Sequence, residues 1–345
     1  MSISVIKYNI LVIGNGFDLY HGLKTKYIDF VNYSRNTTKD IGTKKIRKIL
    51  NGNLFINWFK NVAEENQGWI DCEKEIENII LLFKKILYDK QVFTYYNDKY
   101  YIERSKTSLL YYEFDMLGVF KEFVSIHAAN IYEFNDKYFT RYQGINKLKV
   151  TNKLRVELED LITAFRYYLQ NEVQNKNIIK ISQQIKDIKP RYVINFNYTN
   201  TYKKYGISDS DVCFIHGSVD KGNIVLGIKD ADEKDIDFIH FKKYFQRIQK
   251  KSDIIDMEKL IDGKHISGDI IQQVYIHFFG HSLSDADGDI IRSICDHNTK
   301  IIIYYMDDKN SRDYEQKVIN IINVLGKENA IRGMRIGRID FVAIK

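Results

Sequence analysis

The stretch YNILVIGNGFD, residues 8–18, decides the fold. Its first part, Tyr8–Ile13, is a short apolar run of the kind found in strands that are buried on both faces of a parallel sheet. Gly14 and Gly16 follow directly, and glycine lets the chain turn sharply and approach a ligand closely. The helix that begins there would offer free N–H groups and a partial positive charge to a phosphate. The stretch therefore predicts a strand, a glycine turn and a helix that suit a nucleotide.

The same turn departs from the dinucleotide-binding fingerprint. A GxGxxG pattern needs a third glycine where this chain has Leu19, so the ordinary Rossmann dehydrogenase pattern fails. A tight turn without any ligand would explain Gly14 and Gly16 equally well. Asp18 also has two interpretations, as a helix cap, which is the more common role, or as a partner for a ribose hydroxyl.

Further apolar runs predict the rest of the sheet. They are Tyr192–Phe196, Val212–Ile215, Ile224–Ile228, Val274–Phe279 and Ile301–Tyr305, with Phe341–Ile344 as a candidate last strand. Helical patterns follow several of them: apolar residues recur at helical spacing from Tyr314 to Leu325, and Gly326 stands where a C-terminal cap belongs. This alternation predicts an α/β protein with a Rossmann-like, mostly parallel sheet.

A long segment between the first and second predicted strands has a helical rather than a strand-like pattern of apolar residues. Amphipathic stripes from Ile76 to Leu87 and from Leu154 to Leu169 predict helices. The Tyr-, Lys- and Asp-rich segment Asp89–Arg104 is predicted to be a surface connector. We therefore expect a nucleotide-binding domain formed by residues 1–35 and 188–345, and a helical insertion or lid formed by residues 36–187.

Several later strands end in polar residues or glycine, as the first one does. Asn197 follows the second predicted strand, His216 and Gly217 follow the third, and a turn with Gly280 and Ser282 follows the run that ends at Phe279. A single asparagine or histidine in such a place is usually structural. Because the carboxyl ends of parallel strands meet at one edge, where ligands bind, four such ends together predict a shared crevice.

Composition argues against several classes of function. The chain has 345 residues, with 52 Lys and Arg offset by 45 Asp and Glu along the same segments, whereas nucleic-acid binding usually shows a concentrated basic stripe. The cysteines lie too far apart for a disulfide framework or a zinc knuckle. No apolar run approaches the ~20 residues that span a bilayer, and no secretion signal precedes the first strand. We expect a soluble cytoplasmic protein without membrane, metal or nucleic acid as a partner.

The opening run GNGFDL, residues 14–19, with HGLKTKY at 21–27 and Asp29-Phe30, resembles the signature of the bacteriophage abortive infection AbiH family. The later blocks NFNYT at 195–199, His216-Gly217 and GHSL at 280–283 with Asp287 resemble the rest of that family's pattern. The resemblance covers essentially the full chain. It implies antiviral defence by abortive infection, and it is compatible with a phage-encoded trigger and with a homo-oligomer.

The same ordered blocks are similar, more distantly, to sirtuin-type NAD-binding folds. This similarity implies catalytic roles for Asn197 and His216. The nucleotide-binding residues that it implies are Gly14, Asn15, Gly16, Phe17, Asp18, Thr199, Gly280, Ser282 and Asp287. Thr199 stands where sirtuins carry an aspartate, and the four-cysteine zinc module is missing, so a protein deacylase is not indicated. The implied activity is hydrolysis of NAD, as substrate, or of a related nucleotide at the nicotinamide–ribose bond.

Two other classes of function stay open at this stage. A nucleotide-binding sensor without turnover would use the same loops. A nuclease or RNA-binding effector would need a metal-binding carboxylate cluster, and Asp71, Glu73 and Glu75 are better interpreted as the acidic first turn of a helix. His281 and Asp287 have a purely structural interpretation too, as supports of the Gly280 turn.

Overall fold

The computed structural model describes residues 4–36, 42–65, 70–140, 144–174, 176–229, 236–253, 257, 260, 270–296, 299–307 and 312–345. The chain forms two compact units. The first consists of Met1–Lys26, Leu169–Val225 and Arg247–Lys345, and the second of Tyr27–Tyr168 and Leu226–Gln246.

Strands and helices are numbered along the chain. The strands are β1 (Ser4–Ile13), β2 (Thr94–Tyr96), β3 (Lys99–Glu103), β4 (Val124–Ala128), β5 (Ile131–Phe134), β6 (Phe139–Thr140), β7 (Gly144–Ile145), β8 (Tyr192–Asn195), β9 (Val212–Phe214), β10 (Ile270–Phe279), β11 (Lys300–Met306) and β12 (Ile339–Ile344). The helices within the described residues are α1 (Asn15–Tyr20), α2 (Tyr27–Arg35), α3 (Lys44–Gly52), α4 (Leu54–Glu65), α5 (Cys72–Tyr88), α6 (Tyr111–Met116), α7 (Lys147–Tyr168), α8 (Gln183–Ile188), α9 (Lys243–Gln249), α10 (Gly288–Cys295), α11 (Asp313–Leu325) and α12 (Lys327–Arg335).

The first unit is built on a six-stranded sheet in the order β12-β11-β10-β1-β8-β9, and every neighbouring pair is parallel. The predicted α/β class with a parallel sheet is thereby confirmed. Ile10 and Val12 of β1 belong to one buried cluster, while Leu11 and Ile13 belong to another. The strand sequence is apolar without alternation because both of its faces are covered.

One predicted strand is wrong. Residues 224–227 belong to no strand, and Ile228 makes only an isolated bridge to Lys242. The run is apolar because it is buried, not because it pairs with a strand: Leu226 N–H donates to Gln246 Oε1 at 3.1 Å, and Gln246 Nε2 donates back to Leu226 O at 2.9 Å. A side-chain amide here takes the place of a neighbouring strand.

The second unit is not purely helical, and the predicted connector Asp89–Arg104 is wrong. That segment contains β2 and β3, which join an antiparallel sheet in the order β2-β3-β5-β4. Tyr95 and Tyr100 are paired across β2 and β3 with ring centroids 4.9 Å apart. The tyrosines thus act as cross-strand partners, a role that aromatic residues favour in sheets.

Local signals set the ends of two helices. Asp71 Oδ1 accepts hydrogen bonds from Glu73 N and Lys74 N and caps α5. Gly326, with φ of +80°, ends α11 as predicted. Among the helices of the described residues, none is long and apolar enough to cross a membrane.

Candidate functional site

The ends of three central strands lie side by side in the first unit. Ile13, the last residue of β1, is in register with Asn195 of β8 and with Phe279 of β10. All three strands are parallel, so the turns that follow them leave the same edge of the sheet. The structure thereby brings the Gly14, Asn197 and Gly280 turns together.

The two glycine turns contact each other directly. Gly16 N–H donates to the Gly280 carbonyl oxygen at 2.7 Å. A Cβ atom on Gly280, whose φ is +66°, would lie 2.0 Å from Phe17 N, and one on Gly14 would lie 2.8 Å from His281 Cα. Glycine is therefore required because backbone packs against backbone, and the Gly16 N–H already has a protein acceptor.

Asn197 ties the loop after β8 to the first glycine turn. Its Nδ2 donates to Gly14 O at 2.9 Å, and its backbone N–H donates to Asn195 Oδ1 at 2.8 Å. Asn195 Nδ2 in turn donates to Thr199 O at 3.0 Å. No described residue donates to Asn197 Oδ1, so this buried side chain keeps an acceptor for a ligand.

Asp18 lies beneath the same turn and is only 1% exposed. Its Oδ2 accepts a hydrogen bond from Thr199 Oγ1 at 2.6 Å. Burial raises the pKa of Asp18 to about 6, although the hydroxyls of Thr199 and Thr201 act in the opposite direction. The helix-cap interpretation of Asp18 is wrong, because Gly14 is the N-cap of α1.

His216 is 4% exposed and lies next to a carboxylate. Its Nε2 is 3.0 Å from Asp287 Oδ1, yet the ring N–H is not aligned for a hydrogen bond. Neither ring nitrogen makes a hydrogen bond with a described residue. Gly217, with φ of +71°, turns the chain where a Cβ would lie 2.1 Å from Asn223 O. The result is a buried imidazole beside a negative charge, with Nδ1 unpartnered among the described residues.

Phe196 lies between His216 and the turn that carries Gly280 and His281. Its ring centroid lies 5.5 Å from that of His216 and 4.3 Å from that of His281, both in edge-on geometry. His281 Nδ1 accepts a hydrogen bond from Leu283 N at 2.9 Å and so supports the turn after Gly280. His216 and Asp287 are thereby joined through one aromatic ring to the glycine turns.

The remaining predicted residues differ in exposure. Asn15 and Ser282 are exposed beside the two turns, and Ser282 Oγ accepts a hydrogen bond from Ser284 N at 3.4 Å. Phe17 is fully buried, with its ring centroid 4.5 Å from that of His21 and 6.0 Å from that of Phe279. Phe17 thus packs the turn onto the sheet.

A hydrogen-bonded chain behind the turn was not predicted. Ser182 N–H donates to Tyr205 Oη at 2.8 Å, Tyr205 Oη lies 2.6 Å from His21 Nε2, and His21 Nδ1 lies 2.6 Å from Phe17 O. A carbonyl oxygen only accepts, so Nδ1 carries the proton and Nε2 accepts from the tyrosine. His21 was visible in the signature, but no sequence signal connects it to Tyr205, 184 residues away.

The acidic residues at the start of α5 have structural partners. Besides the Asp71 cap, Glu73 Oε2 lies 2.8 Å from Lys243 Nζ, and Glu75 Oε2 accepts from Trp58 Nε1 at 2.8 Å. Across the described part of the chain, no group of three or more His, Cys, Asp or Glu side chains could hold a metal ion. The interpretation as an acidic first helical turn is confirmed.

Comparison with known families gives a match over most of the chain. The sequence pattern of the family described as Bacteriophage abortive infection AbiH matches residues 10–306. The chain belongs to the bacteriophage abortive infection AbiH family. Every candidate site residue of this AbiH protein, from Gly14 to Asp287, falls within the matched range, and membership implies a part in abortive phage defence. No match was found among curated proteins or among solved structures.

Proposed function

We propose that this AbiH protein is a phage-defence effector that hydrolyses NAD, or a related nucleotide, at the bond between the ribose and its nicotinamide or base. The observation that carries the proposal is the hydrogen bond from Asn197 Nδ2 to Gly14 O. It holds an amide with a free acceptor oxygen against a glycine turn at the carboxyl edge of a parallel sheet. Nucleotides bind at that edge in many α/β proteins.

Asn197 would orient the attacking water. Loss of the leaving group builds oxocarbenium character at the ribose, and a water molecule must then be directed at C1′. Asn197 cannot rotate freely, because Nδ2 is bonded to Gly14 O. Its Oδ1 accepts a hydrogen bond from the water, which leaves the water's lone pair for the attack. The C1′–N bond breaks, nicotinamide leaves as a neutral molecule with the electron pair of that bond, and the water's proton passes to the ribose oxygen that His216 has deprotonated.

His216 would act on a ribose hydroxyl. Asp287 Oδ1, 3.0 Å from Nε2, favours the tautomer with the proton on Nε2 and stabilises the imidazolium that forms later. Nδ1, buried and without a hydrogen bond from any described residue, is then the base that accepts the hydroxyl proton. Asn15 and Ser282, which are exposed at the two turns, would contact the pyrophosphate.

The test is release of nicotinamide from NAD by the purified full chain, with and without phage lysate as the trigger. Asn197→Ala and His216→Ala should each lower turnover by roughly 10²–10⁴-fold. Asn32→Ala on α2 and His127→Ala on β4, both exposed, are the matched controls and should retain activity. Circular dichroism and thermal unfolding establish that each variant is folded. Equal activity in the wild type and in both site variants would refute the assignment.

A sensor that binds a nucleotide without turnover is the second candidate. The hydrogen bond from Gly16 N–H to Gly280 O favours this candidate. Because this backbone N–H already has a partner within the protein, the glycine turn is held rigid without a ligand. This alternative predicts saturable stabilisation by NAD in a thermal-shift assay, with no nicotinamide released under any condition. The two candidates thus differ in a single product measurement.

A further inference from the structure

A cavity of about 220 Å³ lies in the first unit, and some of its lining residues are close in sequence to His216 and Asp287. Its walls come from Ile215, whose next residue is His216, and from α10, whose N-cap is Asp287. Ile290 and Ile294, one helical turn apart on α10, add apolar surface. The walls of this largely apolar space thus include the residue before His216 and the first turn of the helix that follows Asp287.

The polar groups of this cavity are few and distinct. Arg247 Nε is buried and has no hydrogen-bond partner among the described residues, although the Arg247 side chain is 17% exposed overall. Arg247 Nη2 is 3.6 Å from Asp289 Oδ2, which is too long for a hydrogen bond. A buried donor without an acceptor is costly, so a ligand that supplies an acceptor would be stabilised there.

The charges around the cavity limit the class of ligand. Arg247 contributes one positive charge, and Asp289 and Asp253 are the negative ones. Asp253 is already engaged, since Lys221 Nζ lies 2.9 Å from its Oδ1 and Phe214 N–H donates to its Oδ2 at 2.9 Å. Arg247 and Asp289 then offer one donor and one acceptor with no net charge. A neutral ligand therefore suits the cavity better than an anion, because an anion would be repelled by the carboxylates while it is attracted by the guanidinium.

We propose that this cavity binds a neutral, planar heteroaromatic ring that presents a hydrogen-bond acceptor beside a donor, the chemistry shared by nucleobases and aromatic amides. The acceptor would pair with Arg247, the donor with Asp289, and the ring would lie against Ile215, Ile290 and Ile294. The inference rests on the proposed function, because it seats the base or leaving group of the nucleotide next to His216.

The experiment measures direct binding of small rings to the purified full chain by calorimetry and ligand-observed NMR. The probes are nicotinamide, guanosine, adenosine and the anionic analogue nicotinate. We expect at least one neutral probe to bind, more tightly than nicotinate, and whichever probe binds best identifies an aromatic amide or a nucleobase as the source. Arg247→Met, which keeps the apolar stem, should weaken that binding roughly tenfold or more.

Two further variants keep the result interpretable. Arg332→Met removes an exposed arginine of α12 and should leave binding unchanged. Ser293→Trp places bulk on the exposed cavity wall and should block the ring even if Arg247→Met does not fold. Failure of every neutral ring to bind, tighter binding of nicotinate, or binding that survives both cavity variants would overturn the inference.

Ring binding and NAD cleavage can fail separately. The ring should still bind to His216→Ala protein, because His216 is not among the cavity walls. Ring binding without cleavage in any protein would reject the proposed hydrolysis and leave the cavity assignment standing. Cleavage that is unaffected by Arg247→Met and Ser293→Trp would reject the cavity assignment alone.

Discussion

Thr199 Oγ1 donates a hydrogen bond to Asp18 Oδ2 at 2.6 Å, although the two residues are 181 positions apart. The contact joins α1 to the loop after β8, directly below the turn that carries Gly14 and Gly16. It places a buried carboxylate next to Thr199. Two features of the signature blocks, in separate parts of the sequence, thus meet in one hydrogen bond.

The pH dependence of stability should report on Asp18. Its pKa is raised from 3.8 to about 6, so between these values the folded chain binds the proton more tightly than the unfolded chain does. The contribution of Asp18 to the free energy of unfolding should therefore fall as pH rises through this window, by up to roughly 3 kcal/mol. Asp18→Asn removes this titration. In denaturant unfolding from pH 4 to 7, the free energy of unfolding of the variant should therefore increase relative to that of the wild type as pH rises. Asp296→Asn, at an exposed position, should track the wild type, and a constant difference for Asp18→Asn would contradict the prediction.

A pair of glycine substitutions tests the contact between the two turns. Gly280 and Gly337 have nearly equal φ values of +66° and +68°, but a Cβ on Gly337 would meet nothing within 4 Å. Gly337→Ala should cost about 1–2 kcal/mol, which is the left-handed strain alone. Gly280→Ala adds a Cβ 2.0 Å from Phe17 N and should cost several kcal/mol more, or prevent folding. Thermal unfolding of both proteins gives the comparison, and similar losses in the two would show that the turns do not touch.

Removing the Tyr205 hydroxyl should destabilise the protein more than removing an exposed tyrosine hydroxyl. Tyr205→Phe leaves the Ser182 N–H and His21 Nε2 without partners in a buried place, at a cost of roughly 2–3 kcal/mol. The matched control is Tyr275→Phe, whose hydroxyl bonds to the exposed Gln273, and it should cost little. The two free energies of unfolding, measured in denaturant at pH 7.5, decide the matter, and equal values would rule out the chain of hydrogen bonds.

His21 gives the same chain a dependence on pH. Burial lowers the pKa of His21 below its ordinary 6.5. Under mildly acidic conditions His21 is therefore protonated in the unfolded chain and still neutral in the folded chain. Stability contributed by neutral His21 is therefore present above pH 6.5 and is lost as pH falls below it. His21→Gln, a neutral replacement, should flatten this part of the profile, whereas His127→Gln on the exposed β4 should not. An unchanged slope in His21→Gln would mean that another group titrates.

Asp287 should act through His216. If the carboxylate sets the tautomer and stabilises the imidazolium, Asp287→Asn should lower nicotinamide release by roughly 10–100-fold. In the His216→Ala background the same substitution should have almost no further effect, because residues that act as a unit are not additive. Additive losses in the double variant would instead give Asp287 an independent role.

Much of the fold could be predicted from local sequence. Ile10, Leu11, Val12 and Ile13 are all buried, so their unbroken apolar run predicted a central strand of a parallel sheet. Gly326 predicted the end of one helix, and Asp71, Glu73 and Glu75 predicted the acidic start of another, because such signals involve only neighbouring residues. The run Ile224–Ile228 wrongly predicted a strand. It is a buried loop whose backbone forms hydrogen bonds with a glutamine side chain, and burial alone gives it the same apolar pattern as a strand.

By itself, then, the sequence determined the six strands of the parallel sheet, where glycine must turn the chain, and that the chain belongs to the AbiH family. Only the tertiary structure decided what those turns contact: Gly280 against Gly16, Thr199 on Asp18, Tyr205 on His21, and Asp287 beside His216. Capping and burial leave a pattern within one segment of the sequence, whereas each of these pairs brings together residues from distant segments. Their partners are set by strand order and register, which no local pattern encodes.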